Sequence, residues 1–324
     1  MKGHNFLFRR FFLLSLLILF IVSGVFLNSV VFAMEPEKIR ISVPHGFSSL
    51  PAFYLSENSD LDIETVIHKN KNIVINRLMK KEVEMALLPT NEAMKLYNKG
   101  IDIQITNIHT WGVFYILSTD PKIKNWDDLK GKEIYVPERG GPMDIIFSYL
   151  AKVRGLNLKN DLNIMRGKPM QISKLMINDM TDTVVLREPF VSQVLLNNKK
   201  ARIVINLQNE WQKVNNLRLP QASLVVRKDF AQNSPELIKK FEREYARAID
   251  SMLANVDESA EIAKKYMKIA LEVSNAGIPR SNLHYRRAID VKDEINNYIK
   301  LMKEYKPEII GGELANEEIY YKWE

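Results

Sequence analysis

The residue types that carry enzymatic chemistry are sparse in this chain. Its five histidines (His4, His45, His68, His109 and His284) are too scattered to propose a metal set. Each one alone reads as a surface or packing residue. No Gly-x-Ser-x-Gly, no His-Glu-x-x-His, no phosphate-binding loop and no dinucleotide glycine pattern is present. The expectation is a protein without catalysis, metal or cofactor.

What remains are residues suited to grasping a ligand. Pro44-His45-Gly46-Phe47-Ser48-Ser49-Leu50-Pro51 offers the Ser48 and Ser49 hydroxyls and free backbone amides, with Phe47 as an apolar wall; an ordinary polar turn is the competing reading. In Leu87-Leu88-Pro89-Thr90-Asn91, Thr90 or Asn91 either caps the following helix or points at a ligand. In Glu138-Arg139-Gly140-Gly141-Pro142, Gly140 and Gly141 let the backbone approach a ligand closely, and the N–H groups of a helix start attract anions. Arg139 adds a fork-shaped donor that matches sulfonate or carboxylate. Its alternative is a surface arginine paired with Glu138 or Asp144.

The elements that must position these segments are legible as alternating strands and helices. Lys38–Val43 puts Ile39, Ile41 and Val43 on one face of a strand. Strands are also expected at 84–88, 102–108, 113–118, 133–136, 183–186, 201–207 and 222–226. Helices are expected at 72–80, 91–99, 142–155, 171–178 and 189–197, and a short one at 127–132. Ser234-Pro235 opens a long helix carrying Leu237, Phe241, Tyr245, Ala248 and Met252 as an apolar stripe. Two further helices, 260–267 and 291–303, follow it. This alternation predicts an α/β protein with parallel sheets covered by helices on both faces. All three grasping segments then fall at the carboxyl ends of strands, where open sheets bind ligands.

The N-terminus speaks to the compartment. Lys2, Arg9 and Arg10 precede an apolar run from Phe11 to Leu27, and Val31-Phe32-Ala33 supplies small residues before a cut. These flanks describe a secretory signal peptide, residues 1–33; a retained membrane anchor is the alternative. Either way residues 34–324 are expected outside the cytoplasm, in a periplasm or on the outer face of the membrane. What is left after residue 33 exceeds the ~100–200 residues usual for one domain. The chain carries a net +7, three of those charges in the first 33 residues, so the remainder is only mildly basic. Without a clustered basic stripe it has no nucleic-acid signature. Cysteine is absent, so there is no lipid-tether site, and stability must come from a core that 46% apolar residues can supply.

The order of several short motifs resembles the solute-binding proteins of nitrate, sulfonate and taurine ABC importers, including relatives that bind pyrimidine precursors of thiamine. They are Leu50-Pro51-Ala52-Phe53-Tyr54, the Lys81–Ala86 segment, Asp128-Leu129-Lys130-Gly131-Lys132, Arg139-Gly140-Gly141, a helix ending at Gly155-Leu156, and Arg187-Glu188-Pro189-Phe190. The resemblance runs from about Lys38 to Met267.

It implies a two-lobed periplasmic-binding-protein-like fold of type II, its lobes joined by two crossover strands placed near Ile116–Thr119 and Gln221–Leu224. Lobe 1 would comprise 34–117 and 222–324, and lobe 2 would comprise 118–221. Ligand contacts carried over by resemblance are Phe47, Ser48, Ser49, Leu88, Thr90, Asn91, Arg139, Gly140, Gly141, Arg187 and Glu188. Trp111 is either a cleft wall or core. Glu188 either recognises an amine or pairs with Arg187. The implied partners are a small-molecule solute and the permease subunits of an ABC transporter, with the binding protein itself a monomer. Pro142 stands where relatives commonly have serine or threonine, which removes a hydroxyl and a backbone N–H. Arg187 stands where relatives often have tryptophan. Arg139 and Arg187 favour an anionic organic solute, and Glu138 and Glu188 oppose it. Alternatives are a receptor for a heteroaromatic solute, a membrane-anchored sensor, and an enzyme on the same fold, whose cysteine-rich motif this chain lacks.

Overall fold

The computed structural model of the protein describes residues 38–323; the signal-peptide or anchor segment lies outside them. Among the described residues, eleven strands form two sheets. The first contains β1 (Ile39–Val43), β2 (Ile63–Ile67), β3 (Met85–Pro89), β4 (Ile103–Trp111), β10 (Pro220–Arg227) and β11 (Leu283–Arg287), in the order β11-β4-β10-β3-β1-β2. The second contains β5 (Phe114–Ser118), β6 (Lys132–Tyr135), β7 (Leu162–Met165), β8 (Thr183–Arg187) and β9 (Arg202–Asn206), in the order β7-β6-β8-β5-β9.

Twelve α-helices cover the sheets among the described residues. In chain order they are α1 (Leu50–Asn58), α2 (Lys71–Met79), α3 (Thr90–Asn98), α4 (Pro142–Val153), α5 (Pro169–Ile177) and α6 (Phe190–Asn197). Then come α7 (Leu207–Asn215), α8 (Lys228–Asn233), α9 (Pro235–Ala254), α10 (Val256–Met267), α11 (Leu271–Gly277) and α12 (Lys292–Tyr305).

Strand alternation decides which helices each face receives. Ile39, Ile41, Val43, Met85, Leu87, Leu224 and Val226 pack against α1, α9 and α10 through Phe53, Phe241, Tyr245 and Ile262. The alternate residues Ala86, Leu88 and Val225 belong to the opposite core. In the second sheet Tyr115, Leu117, Val184 and Leu186 meet Ile172 and Met176 of α5 and Val191 and Val194 of α6. Phe114, Ile116, Ile134 and Val185 face the other way, into the core that holds Phe147 and Trp211. Each fully buried side chain of this size contributes roughly 1.5–3 kcal/mol relative to exposure, so a one-residue register slip in any of these strands would be costly.

Both sheets are mixed, whereas the sequence pattern suggested parallel ones. β1 pairs with β2 and β3 in parallel, but β10 runs antiparallel to β3 and β4, and β11 antiparallel to β4. β6 pairs with β7 and β8 in parallel, and β5 runs antiparallel to β8 and β9. The cause is the connectivity. β5, β10 and β11 each enter a sheet from the end where their neighbours finish, so each must run against the strands beside it.

The chain passes from the first sheet to the second through Gly112 and Val113, and returns at Pro220 after α7. Ile116–Ser118 therefore lies within β5, and Gln221–Leu224 within β10. Gly112 has φ +44°, and a Cβ there would lie 2.5 Å from Gln208 Oε1. Since that oxygen accepts from the Leu219 N–H at 3.0 Å, the outgoing and returning segments are fastened side by side.

Candidate functional site

The carboxyl ends of β3 and β4 and the start of β10 meet at one edge of the first sheet. Ala222 is opposite Pro89 on one side and Thr110 on the other, and the pairing with β4 slips between Pro220 and Ala222, so Gln221 is a bulge residue. Bulges of this kind re-aim side chains, and they concentrate beside functional sites. Four oxygens here are buried without a hydrogen-bond partner among the described residues: Thr90 Oγ1, Asn91 Oδ1, Thr110 Oγ1 and Gln221 Oε1. Each unpaired buried polar group costs about 1–3 kcal/mol. Four within a few register positions is far denser than the few per hundred residues usual in native folds.

Neither Thr90 nor Asn91 caps α3. Pro89 holds the cap position, and no side chain caps this helix. Asn91 Nδ2 reaches only the Ile309 carbonyl, at 3.4 Å. Pro89 and Asn91 line a cavity of about 450 Å³ whose far wall, from the second sheet's side, is Glu138, Arg139, Gly140, Gly141 and Pro142. Lys71, Lys95 and Lys306 add positive charge to it, and Glu92 and Glu308 add negative. The structure thus brings Asn91, Arg139, Gly140 and Gly141 to one space.

The anion-attracting start of α4 is already engaged by its own helix. Asp144 accepts from the Gly140 N–H at 2.7 Å and pairs with Arg166 at 2.7 Å. That carboxylate offsets the positive end of the helix. Arg139 pairs with neither Glu138 nor Asp144 and is exposed.

Arg187 closes β8, opposite Phe114. The residue is half-buried, and its guanidinium has no hydrogen bond or ion pair among the described residues. Burial weakens its hold on its proton, and the nearby Glu138 charge acts the other way. Glu188, 5% exposed, takes a partner that sequence reasoning did not name. Arg280 Nε donates to Glu188 Oε1 at 3.0 Å, and the Ser192 hydroxyl donates to Glu188 Oε2 at 2.8 Å. Arg280 also donates to Ser192 Oγ at 2.8 Å, and the Tyr115 hydroxyl donates to the Arg280 carbonyl at 2.8 Å. Burial pushes the Glu188 carboxyl up, against the pull of Ser192 and Arg280. With Glu188 balanced by Arg280, the Arg187 charge lacks a direct partner.

Phe47 and Leu88 are buried at 2% and 1% exposure. Leu88 is a core residue, because its strand position faces the α3 side of the first sheet. A Cβ added to Gly277 would lie 2.5 Å from Phe47 Cε2, 2.8 Å from Ser192 Oγ and 3.0 Å from Glu188 Oε2. This glycine therefore lets α11 touch α6. The Ser49 hydroxyl is spent on the Pro44 carbonyl at 2.5 Å, and the Ser48 carbonyl lies 3.0 Å from His109 Nε2. Trp111 donates from Nε1 to the His284 carbonyl at 2.6 Å beneath the Arg218 guanidinium, 3.9 Å from the ring. It borders a second cavity, of about 430 Å³, with Tyr115, Arg218 and Arg280.

Thr110, Gln221, Gly277 and Arg280 were not legible as candidate site residues. A polar residue beside Pro220 at a strand start was the signal for Gln221. Nothing in sequence joins Glu188 to a residue 92 positions away.

The model of the NMT1/THI5-like family matches residues 53–259, more than half of the chain. The chain belongs to the NMT1/THI5-like family. Solved structures repeat its fold. A protein described as an ABC transporter from Parabacteroides distasonis is 23% identical with a TM-score of 0.78, covering 89% of this chain and 99% of its own. The periplasmic aliphatic sulphonate binding protein SsuA from Escherichia coli is 14% identical at a TM-score of 0.69, covering 90% and 97%. The alkanesulfonate-binding SsuA from Xanthomonas axonopodis pv. citri, bound to MOPS, is 14% identical at 0.63, covering 85% and 95%. Among curated proteins, none matches the chain. Among the described residues, no helix of this family member is long and apolar enough to cross a membrane.

Proposed function

We propose that this NMT1/THI5-like protein is an extracytoplasmic solute-binding protein of an ABC importer, capturing a small anionic organic solute between its two sheets and handing it to the permease. The observation that carries this reading is the row of unpaired buried oxygens on Thr90, Asn91, Thr110 and Gln221. A polar solute seated against them would gain hydrogen bonds that the protein alone leaves unmade. Arg187 supplies the sign, because the guanidinium of a half-buried arginine without a partner among the described residues favours an anion with planar or tripodal oxygens. Similarity in fold to sulfonate-binding proteins agrees with that chemistry.

Each sheet with its helices acts as one lobe in this reading. The first sheet supplies Thr90, Asn91, Thr110 and Gln221, and the second supplies Arg187 and the Arg139–Gly141 turn. A solute touching both lobes stabilises the closed arrangement by contacts that the open one lacks. The closed pair then docks on the permease, and the role is capture and release without a chemical step.

Thermal melting against a solute panel tests this. The panel holds taurine, alkanesulfonates, nitrate, bicarbonate, aromatic carboxylates, thiamine pyrimidines and riboflavin. At a hundred times its dissociation constant a ligand adds ~2.7 kcal/mol, a rise of at least about 2 °C for a chain of this size. The expected result is a rise with alkanesulfonates or another organic anion. A rise confined to the uncharged or cationic heteroaromatics would overturn the anionic assignment.

A further inference from the structure

Beneath the Phe47–Ser49 turn lies a chain of buried polar groups that uses none of the solute-facing atoms. Glu242 of α9 lies within 2.8 and 3.2 Å of Asn107 Nδ2 through its two oxygens. Asn107 Oδ1 lies 3.0 Å from His109 Nδ1, and His109 Nε2 lies 3.0 Å from the Ser48 carbonyl. Glu242, Asn107 and His109 are each 0% exposed. The Tyr285 hydroxyl donates to Glu242 at 2.9 Å, and the Tyr245 hydroxyl lies 3.4 Å from His109 Nε2. Among the described residues no lysine or arginine forms an ion pair with Glu242.

We propose that Glu242, Asn107 and His109 share one buried proton, and that this proton fixes the Phe47–Ser49 turn of the solute site through a His109 Nε2–H donated to the Ser48 carbonyl. The donor count leads there. A carbonyl only accepts, so Nε2 must carry hydrogen to bond Ser48. If His109 is neutral, Nδ1 is then an acceptor. Asn107 must turn its NH₂ toward it and its oxygen toward Glu242, which must be a protonated acid to donate. If His109 is instead a cation, Asn107 points the other way and Glu242 is a carboxylate. The amide occupies the same space in both orientations, so both fit the same heavy-atom positions. Each arrangement contains one shared proton, and only the first is free of buried charge.

Burial favours that neutral arrangement. It pushes the Glu242 carboxyl up to about 7 and the His109 ring down to about 4. The other titratable groups facing the chain are Tyr245, Tyr285 and Tyr321, all shifted upward by burial. The charges nearest Tyr285 are Arg287 and Asp290, which pair with each other at 2.7 Å.

Removing the shared proton leaves one acceptor facing another. The easiest relief is for His109 to move its hydrogen to Nδ1, toward Asn107. Nε2 is then bare, Tyr245 can donate to it, and Ser48 is released. Because the folded carboxyl sits above its usual 4.5, the holding contribution is complete below about pH 4.5 and is lost as pH rises through about 7. Solute affinity at this turn should therefore fall with rising pH.

This inference rests on the proposed function only in assigning the turn to the solute site. Both of its readouts are made without solute, so the relay and the solute reading can fail independently. The experiment is nitrogen-15 histidine NMR with amide exchange on the full chain, at about pH 5.5 and about pH 8.5. His109 is expected to be neutral with Nε2–H at the lower pH and to pass to Nδ1–H at the higher. Protection of the Ser49 and Leu50 amides should fall about tenfold, the equivalent of one pKa unit. Glu242→Gln keeps a donor toward Asn107 at every pH, so it should hold the Nε2–H form and the protection across the range. An Nδ1–H ring at the lower pH, or a wild-type turn indifferent to pH, would overturn the relay. So would a Glu242→Gln protein that titrates like the wild type.

Discussion

Gly277→Leu is expected to weaken solute binding by about a hundredfold while the two sheets stay folded. Gly277 has an ordinary φ of −95°, so the backbone accepts a side chain there without strain, and only space is lacking. Even a Cβ meets Phe47 at 2.5 Å, Ser192 at 2.8 Å and Glu188 at 3.0 Å. Two of those atoms belong to Ser192 of α6 and to Glu188, two residues before that helix, on the second sheet's side. The cheapest response is separation of α11 from α6, which opens the site and breaks the Glu188–Arg280 pair at 3.0 Å. Overpacking of this kind costs ~1–3 kcal/mol, and about 2.7 kcal/mol is a hundredfold in affinity. Small-angle scattering should show a larger radius of gyration, and calorimetry the lost affinity. A variant as compact and as tight-binding as the wild type would show that the α6–α11 contact plays no part in closure.

Arg187→Gln should weaken an anionic solute by ~1.5–3 kcal/mol, the range of a hydrogen bond to a charged group, with little change in the melting temperature of the free protein. The second half follows because Arg187 has no ion pair or hydrogen bond to lose among the described residues. Arg139→Gln is the useful contrast. Arg139 is exposed, so water and salt screen it, and its contribution should stay below ~1 kcal/mol. Titration calorimetry of both variants decides the matter. Equal losses, or a larger loss at Arg139, would move the anion's anchor to the Glu138–Pro142 turn.

Much of the fold was legible because strand and helix periods leave direct marks. Ile39, Ile41 and Val43 announced β1, and the Ile145–Leu150 stripe announced α4. The helix α1 was not legible. Pro51 reads as turn punctuation, yet in the structure it occupies the first turn of a helix, where its missing N–H costs nothing. The mixed sheets escaped notice because strand direction depends on where the chain re-enters a sheet, which no local pattern encodes.

The candidate site was legible in part, and for the same reason. Thr90, Asn91 and Arg139 could be flagged from strand ends. The roles of Glu188 and His109 depend on partners 92, 61 and 136 positions away: Arg280, Ser48 and Tyr245. Pairings at that distance are properties of the packed chain, and a lone histidine carries no sign of them.

The most direct test of solute capture at this site is Thr90→Val, with the melting temperature of the free protein and the solute affinity measured on the same samples. Valine has threonine's shape without its hydroxyl, and Thr90 Oγ1 is buried without a partner. Removing it should relieve up to about 1–3 kcal/mol in the free protein and cost ~0.5–1.5 kcal/mol in the complex. The account predicts a higher melting temperature together with weaker binding. A lower melting temperature with unchanged binding would contradict it, and would make Thr90 a packing residue at the end of a strand.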